Sequence, residues 1–321
     1  MKIVLVGASG FVGTRILDLY KHSDFDLVNY DVAPSEFYPD ITIIGDVLDK
    51  QKLSETIKNT DCVILLAAQH RDDVTPVSLY YDVNVQGLKN VLKAMEENNC
   101  KRLLFFSSVA VYGLDKDNPD ESFTPEPFNH YGKSKWEAEL VLQDWYKTHI
   151  DWNINIIRPS VIFGERNRGN VYNLFKQIAS GKFIMIGSGN NEKSMAYVGN
   201  VASFAKYLVE NFKEGYNLFN YTDKPDFSMN KLVPLVYKAL GKEQSSIRIP
   251  YRIGIFGGYC FDILACILRR KLPISSIRVK KFCATTSINA NKAHSSGFEA
   301  PFSLEVGLNN TLTSEFIKNK Q

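Results

Sequence analysis

Apolar residues along this chain fall in short unbroken runs separated by longer mixed stretches. Lys2-Ile3-Val4-Leu5-Val6 opens the series, and comparable strand signals run from Phe25 to Tyr30, Ile41 to Gly45 and Cys62 to Ala68, and over 101–107 and 153–158. Runs of this length without an alternating polar face suit strands buried on both sides. Between them, residues 11–21, 50–59, 79–98 and 131–148 carry helix-compatible sequence. Strand alternating with helix predicts an α/β fold with a parallel, doubly wound sheet. In such a sheet the ligand lies beyond the carboxyl ends of the strands, where Gly7, Asp31, Ala67, Ser107 and Ser108 would gather.

The first run passes straight into Gly7-Ala8-Ser9-Gly10-Phe11-Val12-Gly13, a G-x-x-G-x-x-G spacing that opens a helix near Phe11. The first glycine permits a tight turn, the second lets backbone approach a pyrophosphate, and the third lets helix pack on strand. Asp31 closes the second strand eighteen residues after Gly13. An acid there accepts hydrogen bonds from an adenosine ribose and repels a 2′-phosphate, which favours NAD over NADP. Asp46-Val47 follows the third strand, and Asp46 is placed to face the adenine amine. The pattern is that of a Rossmann nucleotide-binding domain.

Tyr131 and Lys135 stand one helical turn apart, and Ser108 ends the apolar run before them. An ammonium beside a phenol favours the ionised phenol, which makes it a usable base. By itself the Tyr-Lys spacing also fits a solvated amphipathic face, and Ser108 also fits a strand-end cap.

With these residues in place the chain resembles the extended short-chain dehydrogenase/reductase family, in particular its nucleotide-sugar epimerases, over nearly its whole length. The resemblance rests on the glycine motif, Tyr131-Gly132-Lys133-Ser134-Lys135, Ala67-Ala68, Asn84 in Asp82-Val83-Asn84-Val85-Gln86-Gly87, and Ser107-Ser108-Val109-Ala110-Val111-Tyr112-Gly113. It continues through Arg158-Pro159-Ser160-Val161-Ile162-Phe163-Gly164 and Ser194-Met195-Ala196-Tyr197-Val198-Gly199-Asn200-Val201. It implies that Tyr131 is the base for a sugar hydroxyl, that Lys135 binds the ribose and holds the phenol down, and that Ser108 bonds the same sugar oxygen. Ala67, Ala68, Asn84, Ser107 and Pro159 join the NAD site on the same grounds. Dehydratases of the family place Thr-Asp-Glu where this chain has Ser108-Val109-Ala110, and Val109 and Ala110 transfer no proton, which leaves redox-neutral epimerisation.

Three positions depart from the nucleotide-sugar pattern. Lys193 stands where an Arg is common, and it binds phosphate as a point charge without bidentate geometry. Ser160 replaces an Asn, and Thr286 stands where hexose-specific enzymes carry a bulky Tyr, leaving room for an N-acetyl group. Thr286 equally suits an ordinary strand position. The run from Ile253 to Leu268 is broken by Asp262 and ends at Arg269-Arg270-Lys271. It is too short for the ~20 apolar residues of a bilayer span. Either it is a core helix with solvated ends or it lies at an anionic membrane surface.

A closer resemblance decides between these readings. His70-Arg71-Asp72-Asp73, Phe163 through Asn173, Gly257 through Asp262 and Arg278 through Thr286 are similar to the bacterial N-acetyl-α-D-glucosaminyl-diphospho-undecaprenol 4-epimerases. That resemblance implies a lipid-linked amino sugar as substrate, interconverted between GlcNAc and GalNAc forms for surface polysaccharide. His70, Arg71, Asp72, Arg166, Arg168, Asn170, Lys193 and Thr286 are the substrate candidates. It also implies a homodimer through the helices of 79–98 and 131–148, and contact with the inner membrane. The alternatives are a soluble UDP-GlcNAc/UDP-GalNAc 4-epimerase and a non-catalytic NAD-binding sensor.

The 321 residues, 45% hydrophobic, suffice for a nucleotide-binding domain over 1–164 and a mainly substrate-binding domain over 165–321, with segments near 197–221 returning to the first. No signal peptide precedes the first strand, and five cysteines without a C-x-x-C pair fit a reducing cytoplasm. The five His show no metal-ligand spacing, and a net charge of +3 gives no case for nucleic acid.

Overall fold

A computed structural model describes residues 1–71, 74–114, 116–244, 247–268, 270, 272 and 275–318. Its first half runs β1 (Lys2–Val6), α1 (Phe11–Tyr20), β2 (Asp26–Asp31), β3 (Thr42–Ile44), α2 (Lys50–Ile57), β4 (Cys62–Leu65), α3 (Ser78–Tyr81), α4 (Gly87–Glu97), β5 (Arg102–Phe106), α5 (His130–Thr148) and β6 (Asn153–Pro159). The second half follows with β7 (Val161–Phe163), α6 (Asn170–Ala179), β8 (Met185–Ile186), β9 (Glu192–Tyr197), α7 (Val198–Glu210), β10 (Tyr216–Tyr221), β11 (Asp223–Ser228), α8 (Met229–Ala239), β12 (Arg248–Ile249), α9 (Tyr251–Leu268), α10 (Ser276–Cys283), α11 (Asn291–His294) and α12 (Leu304–Leu312).

Seven strands form one parallel sheet in the order β10-β6-β5-β4-β1-β2-β3. The order reverses between β1 and β4, so the ligand crevice opens above that pair. The apolar runs divide by strand parity. Ile3 and Leu5 join α1 and α7 on one face, whereas Val4 and Val6 join α2, α4 and α5 on the other. All four are fully buried, each contributing about 2 kcal/mol on folding. The β4 ladder stops at Leu65 because the N–H groups of Leu66 and Ala67 both donate to the Val6 carbonyl at 2.8 Å. The chain then turns away across the top of β1.

The second lobe is built on β11-β9-β7 and a small β12-β8 pair, with its own core around Phe163, Phe175, Tyr197, Phe227, Leu232 and Leu308. Sequence reading expects one helix over 79–98. The structure interrupts it with a single π turn, Asp82–Gln86, and such turns commonly serve functional sites.

Candidate active site

The glycine loop is shaped by close approaches. Gly7 has φ +90°, and a Cβ there would lie 2.4 Å from the Ala67 nitrogen. At Gly13 a Cβ would lie 2.2 Å from the Ala8 Cα. Gly10 differs: a Cβ would meet nothing within 4 Å, and as N-cap of α1 it supplies no side-chain cap. The first N–H groups of α1, beginning at Phe11 and Val12, face this open groove with the positive end of the helix dipole behind them, an anion site by construction. Asp31 closes the groove at the end of β2, accepting from Ser9 N–H at 2.9 Å and from Ala33 N–H at 3.0 Å. Pyrophosphate at Gly10 and ribose at Asp31 fit these groups. NAD bound there supplies a hydride acceptor and donor.

Three asparagines hold the groove's outline. Asn29 accepts from Ala8 N–H at 3.0 Å, and Asn90 donates to the Val47 carbonyl at 2.9 Å, pinning buried Val47 beneath α4. Asn84, on the π turn, bonds both the N–H and the carbonyl of Gln69 and donates to Ser134 at 2.8 Å. It thereby ties the Ala67-Ala68 loop to α5. Asp46 is the residue expected to face the adenine amine. Asp46 is exposed, its carboxylate accepts from Leu48 N–H in its own turn, and its carbonyl accepts from Tyr30.

Ser107 and Ser108 follow β5, and Ser108 caps a short 3-10 turn over Val109–Tyr112 by accepting from Ala110 N–H. The turn is pressed against the first turn of α5, where a Cβ on Gly132 would lie 2.5 Å from the Ala110 carbonyl oxygen. That contact needs a glycine beside Tyr131. It brings the Ser108 hydroxyl to the phenol, where its hydrogen bond partly offsets the upward pull of burial on the Tyr131 pKa. Lys135 is 2% exposed, donates to the Phe106 carbonyl at 2.7 Å and lies 4.8 Å from the Phe105 ring centroid. Pro159 closes β6 in the same sheet.

Desolvation enters the charge argument for Tyr131 and Lys135. Burial raises the phenol, and the Ser108 hydrogen bond opposes that rise. The lysine's own pKa is pushed down to about 7 by burial, with Glu139 opposing. Desolvation acts on both partners at once, which i, i+4 spacing alone does not reveal.

The substrate candidates divide. Lys193 and Thr286, 93 residues apart, meet in a parallel bridge, and Ser194 N–H donates to the Thr286 carbonyl at 3.0 Å. The Lys193 ammonium donates to the carbonyls of Lys281 and Ala284, so it ties α10 to β9 as well as offering charge. Thr286 thus occupies a strand-like position beside Lys193. His70 and Arg71 follow β4 and are exposed, while Asp72 lies outside the described residues. Arg168 braces its loop, pairing with Glu315 at 2.7 Å and stacking over Tyr172, and exposed Asn170 begins α6. Arg166 has φ 71° and lies 3.7 Å from the Phe37 ring centroid, which links this loop to the one after β2.

Residues 3–221 match the NAD dependent epimerase/dehydratase family, and the chain belongs to it. Among its relatives, N-acetyl-alpha-D-glucosaminyl-diphospho-ditrans,octacis-undecaprenol 4-epimerase of Escherichia coli O157:H7 is 58% identical over 320 residues, spanning 99% of this chain and 96% of that one. The fold matches UDP-glucose 4-epimerase of Thermotoga maritima, solved with UDP-glucose, at TM-score 0.79 and 19% identity over 100% of both chains. It also matches UDP-glucuronic acid 4-epimerase of Bacillus cereus, solved with NAD, at TM-score 0.78 and 21% identity over 100% of this chain and 99% of that one. This chain is an NAD-dependent enzyme of the epimerase class.

Proposed function

We propose that the protein inverts the C4 hydroxyl of the sugar in GlcNAc-diphospho-undecaprenol, giving GalNAc-diphospho-undecaprenol through a 4-keto sugar, in bacterial surface polysaccharide synthesis. The observation that carries this reading is the 58% identity, extending over 99% of the chain, to an enzyme named for that substrate. Tyr131 takes and returns the hydroxyl proton, Ser108 hydrogen-bonds the reacting oxygen, and Lys135 would hold the cofactor's ribose. Val109 and Ala110, half-buried in the turn after Ser108, offer no acid for elimination of water. Residues 165–321 serve mainly to hold the substrate, with Lys193 and Thr286 near the sugar diphosphate.

A lipid-linked substrate requires approach to a membrane, and α9 supports it. The helix is apolar over 18 residues, yet only Gly258 is buried. Phe256 is 69% and Ile267 72% exposed, far from what a core helix shows. Asp262 does not interrupt the outer face, because its carboxylate accepts from Ser276 N–H at the start of α10. Exposed Arg252 and Arg270 sit near its two ends, while Arg269 and Lys271 of the basic collar lie outside the described residues. On this reading the helix docks on the cytoplasmic face of the inner membrane; the pairing of two copies through α4 and α5 rests on the family resemblance.

Incubating the purified protein separately with GlcNAc-diphospho-undecaprenol and UDP-GlcNAc, without added cofactor, tests the assignment. GalNAc released from the lipid alone supports it. GalNAc from the nucleotide alone makes the protein a soluble sugar-nucleotide epimerase, and tightly bound NAD with no product from either makes it a sensor.

A further inference from the structure

Beneath the catalytic residues lies a polar network that the proposed chemistry does not use. Glu139 on α5 is fully buried and carries a full set of partners. The Arg158 guanidinium donates to its carboxylate from Nε at 2.9 and 3.2 Å and again from a terminal nitrogen. The Ser107 hydroxyl donates to the same carboxylate. Arg158, itself 2% exposed, continues to Tyr112 at 2.7 Å, Tyr112 donates to Asn220 at 2.8 Å, and Asn220 donates to the Asn289 carbonyl at 3.0 Å. Six segments of the chain meet here: the end of β5, the turn after it, α5, β6, β10, and the loop leading to α11.

We infer that Glu139 is a positioning residue for the catalytic centre: clamped by Arg158, its carboxylate fixes Ser107 and hence Ser108, and holds a negative charge one helical turn from Lys135. This rests on the reading of Ser108, Tyr131 and Lys135 as the catalytic set. A buried ion pair is weak evidence for stability, since apolar residues of equal volume often serve as well. A serine adjacent to the reacting serine as third partner is what a purely structural pair does not need. The charge has a defined target. Lys135 is desolvated, and Glu139 opposes that desolvation. The other ionisable groups around the pair are Tyr131 on α5, Arg158 on β6, Tyr112 on the turn after β5, and Tyr216 on β10, whose pKa Glu139 raises further.

The test uses full-length protein carrying 15N at the lysine side-chain nitrogen, with the Lys135 resonance assigned by its absence in Lys135→Met. In Glu139→Gln the Lys135 titration midpoint should fall by about one pH unit or more, and the alkaline limb of kcat should move the same way with KM little changed. Glu139→Asp keeps the charge but withdraws the oxygen from Ser107, so it should hold the midpoint while kcat drops about tenfold. A lower unfolding temperature with an unmoved midpoint in Glu139→Gln overturns the inference. If that variant does not fold, Glu139→Asp decides, and wild-type kcat there overturns it. The titration needs no sugar substrate, so its failure is distinct from failure of the lipid-sugar assignment.

Discussion

Replacing Gly10 with Ala should separate NAD binding from folding. Gly10 has φ −78° and ψ 179°, values any residue adopts, and a Cβ there meets nothing within 4 Å. Exchanging Gly for Ala at an N-cap costs under about 1 kcal/mol, small against a domain stability of about 5–15 kcal/mol. The new methyl projects instead into the space through which a pyrophosphate reaches the α1 N–H groups. Losing two charge-assisted hydrogen bonds, at about 1.5–3 kcal/mol each, weakens binding by about two to four decades. Gly7→Ala should behave in the opposite way. Its φ of +90° and a Cβ 2.4 Å from backbone nitrogen combine left-handed strain of about 1–2 kcal/mol with overpacking of about 1–3 kcal/mol, so stability fails first. Urea unfolding and calorimetric NAD titration of both variants read the two effects independently. Gly10→Ala protein that binds NAD with wild-type affinity would refute the placement of the anion.

Other outcomes follow from the same geometry. Tyr131→Phe and Ser108→Ala should retain fold and NAD while epimerisation drops about 10²–10⁴-fold, and a loss under about tenfold for Tyr131→Phe in a radiolabelled sugar assay would rule out its role as base. Lys135 is held down to about 7 by burial. The unfolded chain, titrating near 10.4, therefore binds the extra proton between about pH 7 and 10, and stability from this group rises with pH across that window by at most about 1.4 kcal/mol per unit. Urea midpoints taken across it should show the slope in wild type and lose it in Lys135→Met. Phe256→Ser combined with Ile267→Ser should change stability by no more than about 1 kcal/mol but abolish co-sedimentation with anionic phospholipid vesicles. Undiminished co-sedimentation would remove α9 from the membrane contact.

Much of the nucleotide-binding half was legible in the chain, because its determinants are local. A glycine spacing, an acid at a strand end and apolar runs of strand length each specify backbone conformation within a few residues, and β1, α1, β2, α2, α5 and β6 form within a residue or two of where the pattern puts them. Asp31 and Tyr131 carry their chemistry in their immediate neighbours. Other features were illegible because they depend on residues far apart in sequence. Glu139 is one acid among many until α5 lies against β6, although its place four residues after Lys135 and eight after Tyr131 put it on their face. Lys193 meets Thr286, and Asn84 reaches Gln69, only once the two lobes and the π turn are formed.

The sequence by itself determined the fold class and the cofactor loop, since spacing along one strand or helix fixes those, and it marked Ser108, Tyr131 and Lys135 as candidates through the family resemblance. Only the tertiary structure decided which charges are desolvated and which apolar residues face outward. Burial of Lys135 lowers its pKa, because a charge loses its hydration only when other elements close over it. The apolar run of α9 would make an equally good core helix. Its exposure follows from what packs around it, with Gly258 against Ser276 and Asp262 spent on the start of α10, and no property of the run alone specifies those contacts.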